Sequence, residues 1–467
     1  MRKFIFIALA VLLVLSFTAL ALAEEPQIKL GGRILVRGWW YQNVGSSLPI
    51  DTNSAAFYTT NGFLTVDAKI TDNLQAYMEL ETSDSREIGS QSTSLDGNQS
   101  GLFRWGNNDS KPDAELFFRQ LWLQYTGTGL LGVPSGIKVG HQLLTLGEKQ
   151  FYNMERFGTD GIVVFVEPTK ELFLGALTAK QHEGLDIRSG DDIDADAIMA
   201  TYKFDKDNTL GLFFADVRSS DVDSVTITSL PKGFDEMALY NVGLHANGKI
   251  MNALTYAAEG DLQFGKLKSH VANVSDTDFG GWAIMAKLGY AIPGTPLTIR
   301  ASGAWGSGDD DLTDDSLDEF QFIGPTDNES AVARFTHYTL IYERFINTAS
   351  LAQVVTGFAP NRNTNTANTT YGNLGLDVMP TKNLTLSLDG FYLMATETAG
   401  FEKLLGHSVD DALGWEVDFK GSYKITKNLT YFVEAGYFDA DDFYKDAFGI
   451  NDPEAVTVLI HGLNLTF

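Results

Sequence analysis

Residues 459–467 read LIHGLNLTF, and Phe467 ends the chain. Leu463, Leu465 and Phe467 stand two apart, with Asn464 and Thr466 between them. That spacing is the period of a β-strand with one apolar and one polar face. Soluble domains more commonly end in a frayed polar tail. An amphipathic strand in this position either completes a soluble sheet or closes a cylinder.

The opening residues narrow the choice. Arg2 and Lys3 precede an apolar run that finishes at Ala21-Leu22-Ala23, followed by Glu24. A basic head, an apolar middle and a small-x-small site predict a secretory signal peptide over residues 1–23 and a mature chain over 24–467. A single membrane anchor is the alternative reading of the same run. The chain has no Cys, which excludes disulfides, thiolate chemistry and a lipid anchor on cysteine. Beyond Ala23 no run is long enough for a transmembrane helix.

Without Arg2 and Lys3, the 34 Lys and Arg fall to 32 against 60 Asp and Glu, a balance of −28. Such acidity argues against a nucleic-acid partner. High Gly and many Phe and Tyr suit β-structure. No linker or low-complexity tract divides the chain.

One pattern repeats along it. In residues 62–81, Leu64, Val66, Ala68 and Ile70 alternate into Thr71-Asp72-Asn73, and Leu74, Ala76, Met78 and Leu80 alternate out. Similar pairs surround Pro168-Thr169-Lys170, Asp205–Asn208, Asn247-Gly248-Lys249, Pro293–Pro296, Thr381-Lys382-Asn383 and Thr426-Lys427-Asn428. Gly, Asn, Asp and Pro there are hairpin chemistry. Longer polar stretches separate the pairs, near 84–112, 146–160, 182–193, 219–235, 266–279, 307–370, 395–412 and 440–455. Alternation of short and long connections predicts an all-β, up-and-down antiparallel transmembrane barrel of about 18 strands, with short periplasmic turns and long extracellular loops. Both termini then lie in the periplasm, and the last strand pairs with the first.

Two strands display the lipid face. Trp282, Ile284, Ala286, Leu288 and Tyr290 alternate in one; Trp415, Val417, Phe419, Gly421 and Tyr423 in the other. Each pair of end aromatics is separated by about 21 Å along the normal at ~3.4 Å per residue and a ~40° tilt, close to an apolar band with its girdles. Trp282, Tyr290, Trp415 and Tyr423 are therefore girdle candidates.

The opposite face carries charge throughout. Lys29, Arg33 and Arg37 lie on the first strand, followed by Asp67, Lys69, Glu79 and Glu81. Lys138, Glu259, Asp261, Lys287 and Arg300 come from the middle of the chain. Asp377, Asp389, Glu416, Asp418, Lys420 and Glu434 complete the set. Unpaired charges are very costly inside a closed core, whereas a barrel of this size encloses water. These residues are expected to line a pore. A terminal Phe on the closing strand resembles the signal read by the outer-membrane assembly machinery, which makes Phe467 the candidate assembly residue and that machinery a partner.

Several stretches resemble the alginate-export-type outer-membrane porins. They are LFFRQLWLQYTG (116–127), GIKVGHQLLTLGE (136–148), FGTDGIVV (157–164), residues 301–327 with their Gly-Asp-rich loop, and the hairpin 412–438. The resemblance implies a monomeric 18-stranded barrel in the bacterial outer membrane, surrounded by its lipid. Passage of a polyuronate would call for a strongly basic lumen, and acidic and basic residues are mixed here.

The charged loop offers Asp309, Asp311, Asp314 and Asp315 as a calcium candidate, since hard cations prefer clustered carboxylates, although EF-hand spacing is absent and a solvated acidic loop is the alternative. No zinc-type His spacing, Gly-x-Ser-x-Gly elbow or phosphate loop occurs. The expectation is a porin without catalysis or cofactor, passing small or medium polar solutes, with a mild cation preference from its acidic loops. Two other readings are a sheath around a multihaem cytochrome, whose haem would belong to the partner because Cys-x-x-Cys-His is absent, and an exporter of anionic polysaccharide. Loop 307–370 is long enough to control the bore. In it Phe335, Tyr338, Tyr342 and Phe345 share one helical face, which would bring Arg334, His337 and Arg344 to the opening. An extra strand pair here, giving 20 strands, is the competing expectation.

Overall fold

The computed structural model describes the chain apart from residues 1–25, 46–47, 53, 83–102, 105–115, 130–131, 183–191, 221–233, 270–274, 312, 325–338, 347–348 and 352–364. The expected signal peptide and Arg334, Phe335, His337 and Tyr338 lie outside the described residues.

Eighteen antiparallel strands close on themselves. They are Gln27–Gln42 (β1), Ala55–Lys69 (β2), Leu74–Thr82 (β3), Leu116–Thr128 (β4), Pro134–Gln142 (β5) and Thr159–Val166 (β6). Leu172–His182 (β7), Ile193–Lys203 (β8), Thr209–Ser219 (β9), Phe234–Ile250 (β10), Leu254–Ser269 (β11) and Trp282–Ala291 (β12) follow. Leu297–Gly306 (β13), Thr369–Thr381 (β14), Leu384–Ala395 (β15), Ala412–Lys424 (β16), Leu429–Ala440 (β17) and Val456–Thr466 (β18) complete the cylinder. Every strand pairs with its sequence neighbours, and β18 pairs with β1 from Arg33↔Thr466 to Gln42↔Thr457. The stretch 459–467 is thus the closing strand. The 18-strand expectation holds and the 20-strand alternative does not: in the described part of 307–368, Ser316–Leu317 pairs only with Thr277–Phe279, and neither segment spans the wall.

The short turns share one device. In Thr71, Thr169, Thr381 and Thr426 the hydroxyl oxygen accepts the N–H groups two and three residues on, at 3.1–3.3 Å. Asp205 does the same with its carboxylate toward Asp207 and Asn208. The side chain satisfies N–H groups that a two-strand turn leaves open. One turn is displaced from its expected place at Asn247-Gly248-Lys249. Those residues stay in β10, Asn247 paired with Ala257 and Lys249 with Thr255, and the chain reverses at Met251 and Asn252, both with positive φ. Asn247 is held in the strand through its amide, which bonds Glu148, and its Oδ1, which takes the Thr209 hydroxyl.

The outer face is the apolar one. Ile284 is 51% exposed and Leu288 50%, whereas Ala283, next to Ile284 on the opposite face of the strand, is buried. At the ends, the Trp282 and Trp305 rings meet at a tilt with centroids 5.5 Å apart, and Trp415 and Tyr437 likewise at 5.3 Å.

Connections fold back into the barrel and pack against its inner side. One cluster joins Leu144, Leu146, Phe151, Tyr152 and Met154 with Phe320 and Ile323, and packs on Leu177, Phe213, Leu239 and Leu267 of the wall. The two connections also pair with each other, Asn153 N–H to Ile323 O at 2.9 Å and Ile323 N–H to Phe151 O at 2.8 Å. A second cluster joins Leu340, Ile341, Tyr342, Phe345 and Ile346 to Trp39, Phe391, Phe438 and Val458. Tyr342–Ile346 forms a single π-helical turn, and both Tyr342 and Phe345 are buried. Short helices Ala399–Leu405 (α1) and Phe443–Phe448 (α2) cover this cluster through Phe401, Phe443 and Tyr444.

Candidate channel lining

Inward charges fall into two groups. Glu79, Glu81, Glu259, Asp261, Asp389, Glu416 and Asp418 are buried, as is Arg37. An open lumen would leave these eight solvated; the infolded connections and neighbouring side chains instead remove them from water. Lys29, Arg33, Lys69, Lys138, Lys287, Arg300 and Lys420 are half-buried or exposed, with Asp67, Asp377 and Glu434. Among the lining residues expected from the sequence, the accessible ones are therefore seven cations and three acids, a net of +4.

Burial of an acid requires partners, and the partners differ by site. Glu416 accepts the N–H of Ile341 at 2.6 Å and of Tyr342 at 2.9 Å, one on each oxygen. Asp418, two residues on, accepts the N–H of Leu340 at 2.8 Å. Two wall carboxylates thus hold one turn of the long connection by its backbone.

Glu79 and Glu81 meet arginines. Arg156, from the 143–158 connection, donates two parallel bonds to Glu81, both 2.8 Å. Arg119 donates to Glu79 at 3.0 Å and to the Arg156 and Glu155 carbonyls at 2.8 and 2.6 Å. Arg119 is the extra residue of a β-bulge: Glu79 pairs with Gln120 and Leu80 with Phe118. The bulge lets both Arg119 and Gln120 reach Glu79, Gln120 at 2.6 Å. Strict alternation hides this residue, and Arg156 sits in a stretch read as a loop. The usable signal was two arginines facing an acid pair of period two.

Arg300 binds two carboxylates side by side. Nε and Nη2 donate to Asp377 and Nη1 and Nη2 to Asp389, all at 2.8–2.9 Å. Planar fork geometry makes Arg suited to this. Gly375 leaves the space: a Cβ there would lie 2.3 Å from Asp389 Oδ1. Arg37 bonds Asn61 at 2.9 Å, Arg33 lies over Phe63 at 3.8 Å, Lys138 over Trp122 at 4.0 Å, and Arg344 over Trp39 at 5.4 Å. Lys29, Asp67 and Lys69 line a recess at the periplasmic end with Gln75, Gln124 and Thr126.

The acidic loop is committed to its own fold. Asp309 accepts the Asp311 and Asp318 N–H groups, and burial pushes its carboxyl up. The Thr313 hydroxyl and then Lys403 hold Asp311 down to about 2. Asp314 accepts from Ser316. Among the described residues no three His, Asp or Glu side chains converge on a metal position. Phe467 pairs with Gly32 through both backbone groups, at 2.9 and 3.0 Å, and its ring lies over that glycine.

A closed 18-strand barrel with an apolar exterior and a charged, partly filled interior defines the architecture of an outer-membrane channel. The chain belongs to the Alginate export family, whose profile matches residues 57–457. Among solved structures it is similar to a BenF-like porin from Pseudomonas fluorescens, at 12% identity and a TM-score of 0.54, over 94% of this chain and 99% of that one. OccK8 (OprE) from Pseudomonas aeruginosa gives 12% and 0.53 over 94% and 98%. Acinetobacter baumannii OccAB2 gives 11% and 0.53 over the same shares. No curated protein sequence matches. At this identity the structures testify to the fold, and family and fold together place the protein in the outer membrane.

Proposed function

We propose that the barrel is a monomeric diffusion channel for small or medium polar solutes that favours anions, and that the infolded connections set its bore. The observation carrying this reading is the sorting of charge. Glu79, Glu81, Asp389, Glu416 and Asp418, five of the seven buried wall acids, are taken up by loop N–H groups or arginines, while Lys29, Arg33, Lys138, Lys287 and Lys420 stay accessible. A charge in a narrow aqueous passage attracts counterions strongly. The acidic exterior loops act farther from the constriction, where salt screens them within about 8 Å at physiological strength. This reverses the sign expected from loop composition alone. No nucleophile or cofactor motif is needed for such passage.

Anionic polysaccharide export is a second reading, favoured by the same net basic lining together with the family. A cytochrome sheath is not favoured, because Leu340, Ile341, Tyr342, Phe345 and Phe151 of the chain itself occupy interior space.

Swelling of proteoliposomes tests the proposal. Small sugars and organic anions should enter, the anions faster than neutral solutes of equal size. Entry of oligouronates at a comparable rate would move the assignment to the second reading. No entry of any solute through a folded barrel would reject both.

A further inference from the structure

Glu259 and Asp261 stand two apart on β11, so both carboxyls point to the inner side. They are 3% and 2% exposed and within hydrogen-bonding reach of each other. Among the described residues neither forms an ion pair with Lys or Arg. Two like charges buried together need a compensating positive species. The Glu416 and Asp418 pair, equally spaced, meets three backbone N–H groups. The Glu259 and Asp261 pair meets one, from Glu148 to Glu259.

What surrounds this second pair is amide. Asn241 Nδ2 donates to Asp261 Oδ1 at 2.8 Å, and Gln150 Nε2 to Oδ2 at 3.2 Å. Asn241 is 0% and Gln150 3% exposed. Their carbonyl oxygens, Asn241 Oδ1 and Gln150 Oε1, are buried without a hydrogen-bond partner, and so is Glu259 Oε1. Either end of an amide head can be turned toward the carboxylates by a half-rotation. Backbone crowding is relieved on both sides: Gly243 faces Asp261 across the ladder, and a Cβ on Gly147 would lie 2.5 Å from Glu259 Oε2.

We propose that Glu259, Asp261, Asn241 and Gln150 bind one divalent cation of the hard, oxygen-seeking class, calcium foremost. Two carboxylates balance its charge. With both bidentate, the carboxylates and the two amide oxygens reach the lower end of the roughly six to eight oxygens that calcium takes. Buried acceptors that are otherwise unpaired become ligands. Gln150 belongs to the 143–158 connection and the other three to the wall, so the ion ties that connection to β10 and β11.

The test uses the full-length barrel in detergent, stripped with chelator and titrated with calcium by calorimetry, with terbium luminescence in parallel. Expected is one saturable site, with half-saturation on the order of 0.1–1 mM as in extracellular calcium modules, and a higher melting temperature with calcium. Asp261→Asn and Glu259→Gln should each weaken binding at least tenfold, and Glu416→Gln should leave it unchanged. If the acid variants fail to assemble, Gln150→Ala decides, and a several-fold loss is required. Absence of saturable binding to the folded parent, or parent-like binding by Asp261→Asn or by Gln150→Ala, overturns the site and assigns the acid pair to a shared proton.

Discussion

Glu416 on the barrel wall takes the backbone N–H of Ile341 at 2.6 Å, joining residues 75 apart in sequence. Tyr342 bonds the other oxygen of the same carboxylate. The longest connection is therefore seated by its main chain on a fixed strand, in addition to the packing of its side chains on the wall. Replacing Glu416 by Ala leaves two N–H groups unpaired at ~1–3 kcal/mol each. Single-channel conductance of a heat-modifiable Glu416→Ala barrel should rise about two- to five-fold, if loosening the seat widens a passage whose charges remain. A folded variant with parent conductance would show that this seat does not bear on the bore.

Arg300 answers two acids at once. Its removal as Arg300→Gln leaves Asp389, 7% exposed, and Asp377 without their cation. A fully buried pair broken in this way costs ~3–5 kcal/mol; partial exposure of Arg300 brings the expected loss to about 2–4 kcal/mol. Urea unfolding from lipid vesicles measures it. Arg300→Lys keeps the charge but not the fork, and should lose part of the stability.

Selectivity should follow the accessible cations. Under a potassium chloride gradient the reversal potential is expected to report chloride preference. Lys138→Gln, Lys287→Gln and Lys420→Gln should each reduce it. The preference should fade near 1 M salt, where the screening length is about 3 Å. A cation preference in the parent at low salt would place control in Asp67, Asp377 or Glu434 instead.

Phe467 closes the barrel against Gly32. Deleting it, or making Phe467→Asp, should lower the amount of folded protein in the outer membrane with little change in the conductance of what assembles. Gly32→Leu should act in the same direction, since even a Cβ there meets the Phe467 ring at 2.6 Å. Gly372→Ala, with nothing within 4 Å of the added carbon, is the control expected to assemble normally. Parent levels from Phe467→Asp would separate the last residue from assembly.

The barrel could be read in advance because its cause is local. Alternation over eight or more residues fixes which side chains face out, and Thr-x-Asn turns such as Thr426-Lys427-Asn428 mark reversals. What lay beyond reading was the third dimension of the lumen. Asp67 and Glu81 share a strand-face signature, yet Asp67 is half-buried and Glu81 is 0% exposed beneath Arg156. That difference comes from a connection folding across the barrel, and no period encodes it. Arg119 was invisible for a related reason, since a bulge breaks the alternation on which the reading depends. Within 307–370 the spacing marks Tyr342 and Phe345 as part of an apolar face that needs cover, and both are buried; they fall in one π-helical turn, and the N–H groups of Leu340, Ile341 and Tyr342 at its start bond Glu416 and Asp418, long-range partners that no local pattern encodes.

The most direct measurement is single-channel conductance in a planar bilayer, comparing the parent with a chain lacking residues 330–360 and joined by a short Gly/Ser linker. The deletion removes the turn that sits on Glu416 and Asp418 and leaves the wall strands intact. The account predicts a small, anion-preferring conductance in the parent and a several-fold larger one, still anion-preferring, in the folded deletion. Equal conductance from two folded barrels, or none from either, would contradict a polar channel narrowed by its own infolded chain.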